Sequence, residues 1–207
     1  MLKISSIRSF LESTLFIWIG LTLIITLAGN ALVLPDWLQV VGRSHPILLH
    51  FPIVLLLMGL LFFWIPGIDK KPEIREIGEI SFLAGCNFAG ITVLAGLILA
   101  QEEYTGEILT WHKWGGLIVF AGCVLLYFFR SIKANLMRLS SVALAIAIIA
   151  TGHWGAGLTH GEDFLLAPIQ SKDIEVIPLA EAEIFGDVVQ PILQAKCISC
   201  HKEGKIK

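Results

Sequence analysis

The stretch EISFLAGCNFAGITVLAGLILA, residues 79–100, decides the class of fold, because an apolar run of this length crosses a bilayer as a helix. At a rise of 1.5 Å per residue, about 20 residues span a hydrocarbon core roughly 30 Å thick. Small residues recur along the stretch, which predicts that neighbouring helices approach it closely. They are Ala84, Gly85, Cys86, Ala89, Gly90, Ala95 and Gly96.

Four further apolar segments, at about 10–34, 46–65, 112–130 and 138–157, have a comparable length. Hydrophobic residues make up 56% of the chain and charged residues 15%, which is far from the composition of a soluble domain. We therefore predict an all-α fold, a polytopic membrane bundle with five transmembrane helices. The first segment is too long for a typical signal peptide and is expected to be retained. A net charge of −2 without basic runs gives no indication of nucleic acid binding.

A second stretch, Cys197-Ile198-Ser199-Cys200-His201, indicates chemistry. Two thiols at this spacing add to the vinyl groups of a haem, and the adjacent imidazole ligates its iron. We predict haem c attached covalently through Cys197 and Cys200, with His201 as an axial ligand of the iron. Two alternatives stay open, namely half of a zinc site and a redox-active pair of cysteines.

The same motif predicts the orientation of the helices. Haem is attached to such motifs outside the bacterial inner membrane, so the C-terminus is expected in the periplasm. With five spans, the N-terminus is then cytoplasmic, and the positive-inside rule tests this independently. The predicted cytoplasmic segments carry Lys3 and Arg8, then Lys70, Lys71 and Arg75, then Arg130, Lys133 and Arg138. The segment from Lys70 to Glu79 mixes charges and is predicted to be a solvated surface.

The chain divides into four predicted regions. Residues 1–36 form an N-terminal transmembrane anchor helix, and residues 44–161 form a four-helix transmembrane bundle. Prolines and alternating acidic residues predict a periplasmic linker over residues 162–181. Residues 182–207 are predicted to be the start of a c-type cytochrome domain, with a short helix over 182–194 that leads into the haem motif.

All histidines fall on the predicted periplasmic side: His45, His50, His112, His153, His160 and His201. His50, His112 and His153 come from different spans at matching depth, as in a bundle that holds a cofactor between its helices. In one interpretation, two of these three histidines are the axial ligands of a b-type haem. Bound zinc or copper, a quinol pocket, and interfacial histidines that hydrogen-bond headgroups are the others. The glycines that would allow close approach there are Gly115, Gly116, Gly152 and Gly155.

Three stretches carry a resemblance to a known family: His45-Pro46-Ile47-Leu48-Leu49-His50-Phe51-Pro52, Trp111-His112-Lys113-Trp114-Gly115, and Gly152–Leu165. They resemble an uncharacterised bacterial inner-membrane family with a four-helix membrane domain followed by a planctomycete-type cytochrome c domain. The segment Phe185–His201 resembles the start of that c domain, and the resemblance implies electron transfer. Such domains continue well past the haem motif, so we expect the chain to continue beyond Lys207 and to supply a sixth iron ligand there.

The sequence thus predicts a membrane-anchored c-type cytochrome that carries electrons between the inner membrane and the periplasm, rather than a stand-alone catalyst. The expected partners are membrane lipid, quinol, a periplasmic electron donor or acceptor, and subunits of a larger membrane complex. The competing interpretation is a non-catalytic scaffold or accessory subunit whose histidines are structural or bind a metal.

Overall fold

A computed structural model describes residues 4–31, 34–65, 67–102, 106–131, 133–161, 164–166, 168–169 and 183–196. The chain within these ranges is helical and has no strand. Its α-helices are α1 (Ile4–Ala28), α2 (Gln39–Arg43), α3 (His45–Leu48), α4 (His50–Phe62), α5 (Pro72–Leu99), α6 (Glu107–Phe128), α7 (Ala134–His160) and α8 (Gln190–Lys196). Short 3₁₀-helices cover Gly29–Ala31, Asp36–Leu38 and Ile68–Lys70, and a π-helix, Ile184–Val189, precedes α8.

Four of these helices, α1, α5, α6 and α7, are long and apolar enough to cross a membrane. A fifth crossing is formed if the helical pair Asp36–Leu48 and His50–Phe62 counts as one span. The predicted class, an all-α membrane bundle, is therefore confirmed.

The second predicted span, at about residues 46–65, overlaps a bent helical pair, in which Asp36–Leu48 and His50–Phe62 meet at an angle of 43°. The break lies at Leu49, between α3 and α4. Pro52 has no N–H, so the Leu48 carbonyl lacks the donor that a continuous helix would provide. Pro46 lies in the first turn of α3, where a missing N–H costs nothing, so Pro52 is the residue that accounts for the bend.

The chain forms two compact units, one of Met1–Glu102 with Lys113–Thr151 and one of Glu103–His112 with Gly152–Lys207. Helix α5 is the centre of the first unit, since 67% of its most apolar stretch is buried against 11% of that in α1. Helices α1 to α4 all pack against α5 in this unit.

Small residues on α5 make the close packing possible, as the sequence predicts. A Cβ atom added to Gly85 would lie 2.9 Å from the Leu56 backbone nitrogen of α4. One added to Gly90 would lie 2.6 Å from the Trp18 Cβ of α1. Both distances are too short for non-bonded carbon contacts, so only glycine permits these approaches.

A buried amide joins α1 to α5 midway along the first unit. The Thr14 hydroxyl donates to Asn87 Oδ1 at 2.6 Å, and Asn87 Nδ2 donates to the carbonyls of Leu11 at 3.1 Å and Leu83 at 2.9 Å. Both ends of the amide are thereby satisfied, which removes the cost of burying it. Helix α1 is thus packed on α5 through specific polar contacts.

Glu79 is buried, with 8% of its surface exposed, so the prediction that it lies in a solvated segment is wrong. Helix α5 begins at Pro72, which places Glu79 two turns inside the helix. Three guanidinium groups surround its carboxylate: Arg8 at 2.8 Å, Arg75 at 2.8 Å and Arg130 at 3.4 Å. We call these four residues the Glu79 cluster. Its arginines come from the three segments predicted to be cytoplasmic, so those segments share one end of the first unit.

The helical segment predicted ahead of the haem motif is present in the second unit. It begins after Glu183, whose N–H donates to Asp187 Oδ2 at 2.8 Å, and continues through the π-helix into α8. The prediction of a helix over residues 182–194 is therefore confirmed within two residues at each end. Apart from residues 164–166 and 168–169, the predicted linker over 162–181 lies outside the described residues.

Candidate functional site

The predicted haem c ligands Cys197, Cys200 and His201 lie outside the described residues. Helix α8 is described as far as Lys196, the residue that precedes the motif in the sequence. Their assignment to haem stays a prediction.

His50 is exposed at the start of α4, just after the break in the second span. Its Nδ1 atom lies 3.3 Å from the Ile47 carbonyl, a long contact across the bend. The broken helix therefore presents His50 at its surface, where a ligand or solvent can reach the ring.

His45, which was not among the predicted ligands, is held more firmly than His50. Its Nδ1–H donates to the Thr92 carbonyl of α5 at 2.9 Å, and a Cβ atom on Gly96 would lie 3.0 Å from the ring. A carbonyl only accepts, so a proton is assigned to Nδ1. Backbone hydrogen bonds of this kind orient imidazoles that bind metals or accept protons. The feature of the sequence that indicates this contact is Gly96, because the absence of a side chain there leaves space for the His45 ring.

His112 and Gly155 meet in the second unit, where the start of α6 passes the end of α7. A Cβ atom on Gly155 would lie 2.8 Å from Cε1 of the His112 ring. Trp111 and Trp154 directly precede these two residues in the sequence. The centroids of their rings are 6.0 Å apart, and the ring planes are inclined by 32°. The result is a half-buried imidazole against a glycine backbone and beside two indoles. Gly155 is thus a position of close approach, to a histidine ring, whereas Gly152 has nothing within 4 Å of its Cβ position; the role of these glycines around a haem stays a prediction.

His153 lies on a different face of α7 from Gly155. The two positions are two residues apart, which is about 200° around a helix, and His153 is exposed. The structure therefore does not bring the His112 and His153 rings together on one face. At the end of the same helix, His160 Nδ1 is 2.7 Å from the Thr159 hydroxyl.

Within the described part of the chain, no group of three or more His, Cys, Asp or Glu side chains could hold a metal ion. A site at His50, His112 or His153 would need ligands from a cofactor or from residues outside that part. The assignment of these histidines to haem b or another metal stays a prediction.

Replacing Gly155 by Ala is expected to displace the His112 ring, because the new methyl group would occupy the position 2.8 Å from its Cε1 atom. The ring can rotate, so the cost is about 1 kcal/mol. In protein labelled with ¹⁵N-histidine, the His112 signals should shift, after assignment with a His112→Gln variant. Gly152→Ala, on the same helix with open space, is the matched control and should leave these signals unchanged. Equal spectra for both alanine variants would contradict the contact.

The long apolar helices, packed around α5 in the first unit, define an integral membrane protein of the all-α class. The chain belongs to the family described as "Predicted membrane protein (DUF2231)", which matches residues 44–164. The match runs from just before α3 to just after α7 and does not extend to residues 197–201. No curated protein and no solved structure matches the chain significantly.

Proposed function

We propose that this protein is a membrane-anchored c-type cytochrome that carries electrons between the bacterial inner membrane and the periplasm. The observation that carries the proposal is the motif Cys197-Ile198-Ser199-Cys200-His201, on a chain that belongs to a membrane protein family. Its donor set, two thiols and one imidazole in five residues, fits a haem group by its chemistry. A haem bound there supplies one-electron transfer at its iron.

The segment before the motif supports this assignment through its exposed apolar side chains. Ile184 is 79% exposed, Phe185 66% and Ile192 56%. A contiguous exposed apolar surface is typical of a site that another group covers. A haem held by Cys197 and Cys200 would supply an apolar macrocycle of the kind that such a surface accommodates.

The proposed orientation places the N-terminus in the cytoplasm and residues 197–201 in the periplasm. The convergence of Arg8, Arg75 and Arg130 at one end of the first unit supports it, because cationic residues concentrate on the cytoplasmic side of membrane helices. The periplasmic segment would then exchange electrons with a soluble donor or acceptor.

A second redox group in the membrane part would extend the path of electrons. The residues proposed for it are His50, His112 and His153, as ligands of a b-type haem or of zinc or copper, or as proton acceptors for quinol. The partly buried position of the His112 ring against Gly155 supports His112 most directly.

The pyridine haemochrome spectrum of the purified full-length protein tests the proposal. A c-type band alone is expected if the membrane helices serve as an anchor, and additional b-type bands are expected if they hold a second haem. In that case His112→Ala should remove the b-type bands and leave the c-type band intact. Absence of any haem band would refute the electron-transfer function.

The tight packing of α5 through glycines favours one alternative, a non-catalytic scaffold or accessory subunit of a larger complex. Such a subunit needs rigid helices and no redox group. Absence of haem, together with co-purification of stoichiometric partner subunits, would support it.

A further inference from the structure

An apolar groove of about 400 Å³ lies in the first unit between α6 and α7. It is lined by Ile118, Gly122 and Leu125 of α6 and by Phe129 directly after that helix, which recur at intervals of three and four residues and so share one face. From Ile118 to Phe129 this face is about 16 Å long. Ile118 and Phe129 are more than half exposed, so the groove is open to its surroundings.

On the facing side of α7, three of the four lining residues are small, and the fourth is Leu144. Ser140, Ala143 and Ala147 line the groove, and they follow the same intervals of three and four. Continued toward the start of α7, this register passes Leu136 and reaches Lys133, which is exposed beside the first residue of the helix. The lining of the groove ends with Ser140 on α7, and the register places Lys133 about two turns beyond it, toward the start of the helix.

The charge at this end is not balanced by the helices that form it. From Ile108 to Gly161 the sequence has no Asp or Glu, although the turn between α6 and α7 carries Arg130 and Lys133. Arg130 lies 3.4 Å from Glu79 and is therefore part of the Glu79 cluster. Lys133 has no acidic partner among the residues that the structure describes.

We propose that this groove is a binding site for an anionic phospholipid, with an acyl chain between α6 and α7 and the phosphate at Lys133. A lipid is the occupant that matches both parts, because the groove is long, narrow and apolar while its end carries an unbalanced positive charge. A cation near a membrane surface contributes about a fivefold gain in affinity for an anionic headgroup.

Lipid adducts on the full-length protein in detergent, counted by native mass spectrometry, test the proposal. The probes are palmitoyl-oleoyl phosphatidylglycerol and palmitoyl-oleoyl phosphatidylcholine, added at equal concentrations. We expect the anionic lipid to bind about fivefold more tightly, and Lys133→Gln to bring the two affinities close to each other. Lys71→Gln removes an exposed lysine from a different turn and should leave the preference intact.

A second variant tests the apolar part of the site. Ala143→Phe places a ring in the groove and should reduce adducts of both lipids, whereas Ile146→Phe, on an exposed lipid-facing position of α7, should not. Equal affinity for the two lipids in the unmodified protein would overturn the proposal. So would a dimer that Ala143→Phe dissociates, because the occupant would then be a second copy of the chain.

Discussion

Replacing Glu79 by Ala is expected to destabilise the first unit by about 3 kcal/mol, because three guanidinium groups would lose the carboxylate that they share. The Glu79 side chain is only 10% exposed, while those of Arg8 and Arg130 are 23% and 25% exposed. Because the arginines keep part of their hydration, we expect a loss of stability at the lower end of the range that is typical of a broken buried ion pair. Since the cluster joins α1, α5 and the end of α6, unfolding is expected to involve all three helices together.

Thermal unfolding of the purified protein in detergent measures this effect. Glu79→Gln keeps the shape and part of the hydrogen bonding, so it should fall between the natural protein and Glu79→Ala. Glu73→Ala is the control, because Glu73 is exposed in the first turn of α5 and contributes below about 1 kcal/mol. Equal loss of stability for the two alanine variants would show that the cluster is not the cause.

Replacing Gly59 by Ala is the second change with a large expected effect. A Cβ atom there would lie 2.6 Å from the Phe82 Cβ, 2.8 Å from its Cα and 2.9 Å from its nitrogen. These are mostly backbone atoms, which cannot rotate away, so α4 and α5 would have to separate. Overpacking of this kind costs about 3 kcal/mol.

Gly20→Ala is the matched control for this variant. Gly20 lies in the interior of α1 with nothing within 4 Å of its Cβ position, so alanine should stabilise the helix by up to about 1 kcal/mol. The temperature at which the protein leaves the monodisperse peak in size-exclusion chromatography reports both changes. If Gly59→Ala were as stable as Gly20→Ala, the close contact between α4 and α5 would be refuted.

The membrane helices were predictable because their signal is local. A run such as residues 79–100 has to form its hydrogen bonds internally in a bilayer, whatever surrounds it. The role of Gly85 and Gly90 followed for the same reason, since small residues in such a run leave room for a neighbour. The bend at Leu49 is also encoded locally, by Pro52, which has no N–H to offer to the Leu48 carbonyl.

The burial of Glu79 was not predictable from the sequence alone, because it depends on three arginines that arrive from different segments. A carboxylate among mixed charges is typical of a solvated loop, and only tertiary packing makes it the centre of a cluster. The histidines show the same limit. Their depth in the membrane followed from the spans, but the contact of His45 with Thr92 and of His112 with Gly155 depends on how each helix is rotated.

The central claim, covalent haem at Cys197 and Cys200, is tested most directly by the mass of the intact, denatured protein. The full-length chain is produced in cells that contain the cytochrome c maturation system, and the membrane fraction is purified. The mass is expected to exceed that of the polypeptide by one haem, and the Cys197→Ser, Cys200→Ser double variant should lack this increment while still inserting into the membrane. A polypeptide that carries no added mass under these conditions would contradict the claim.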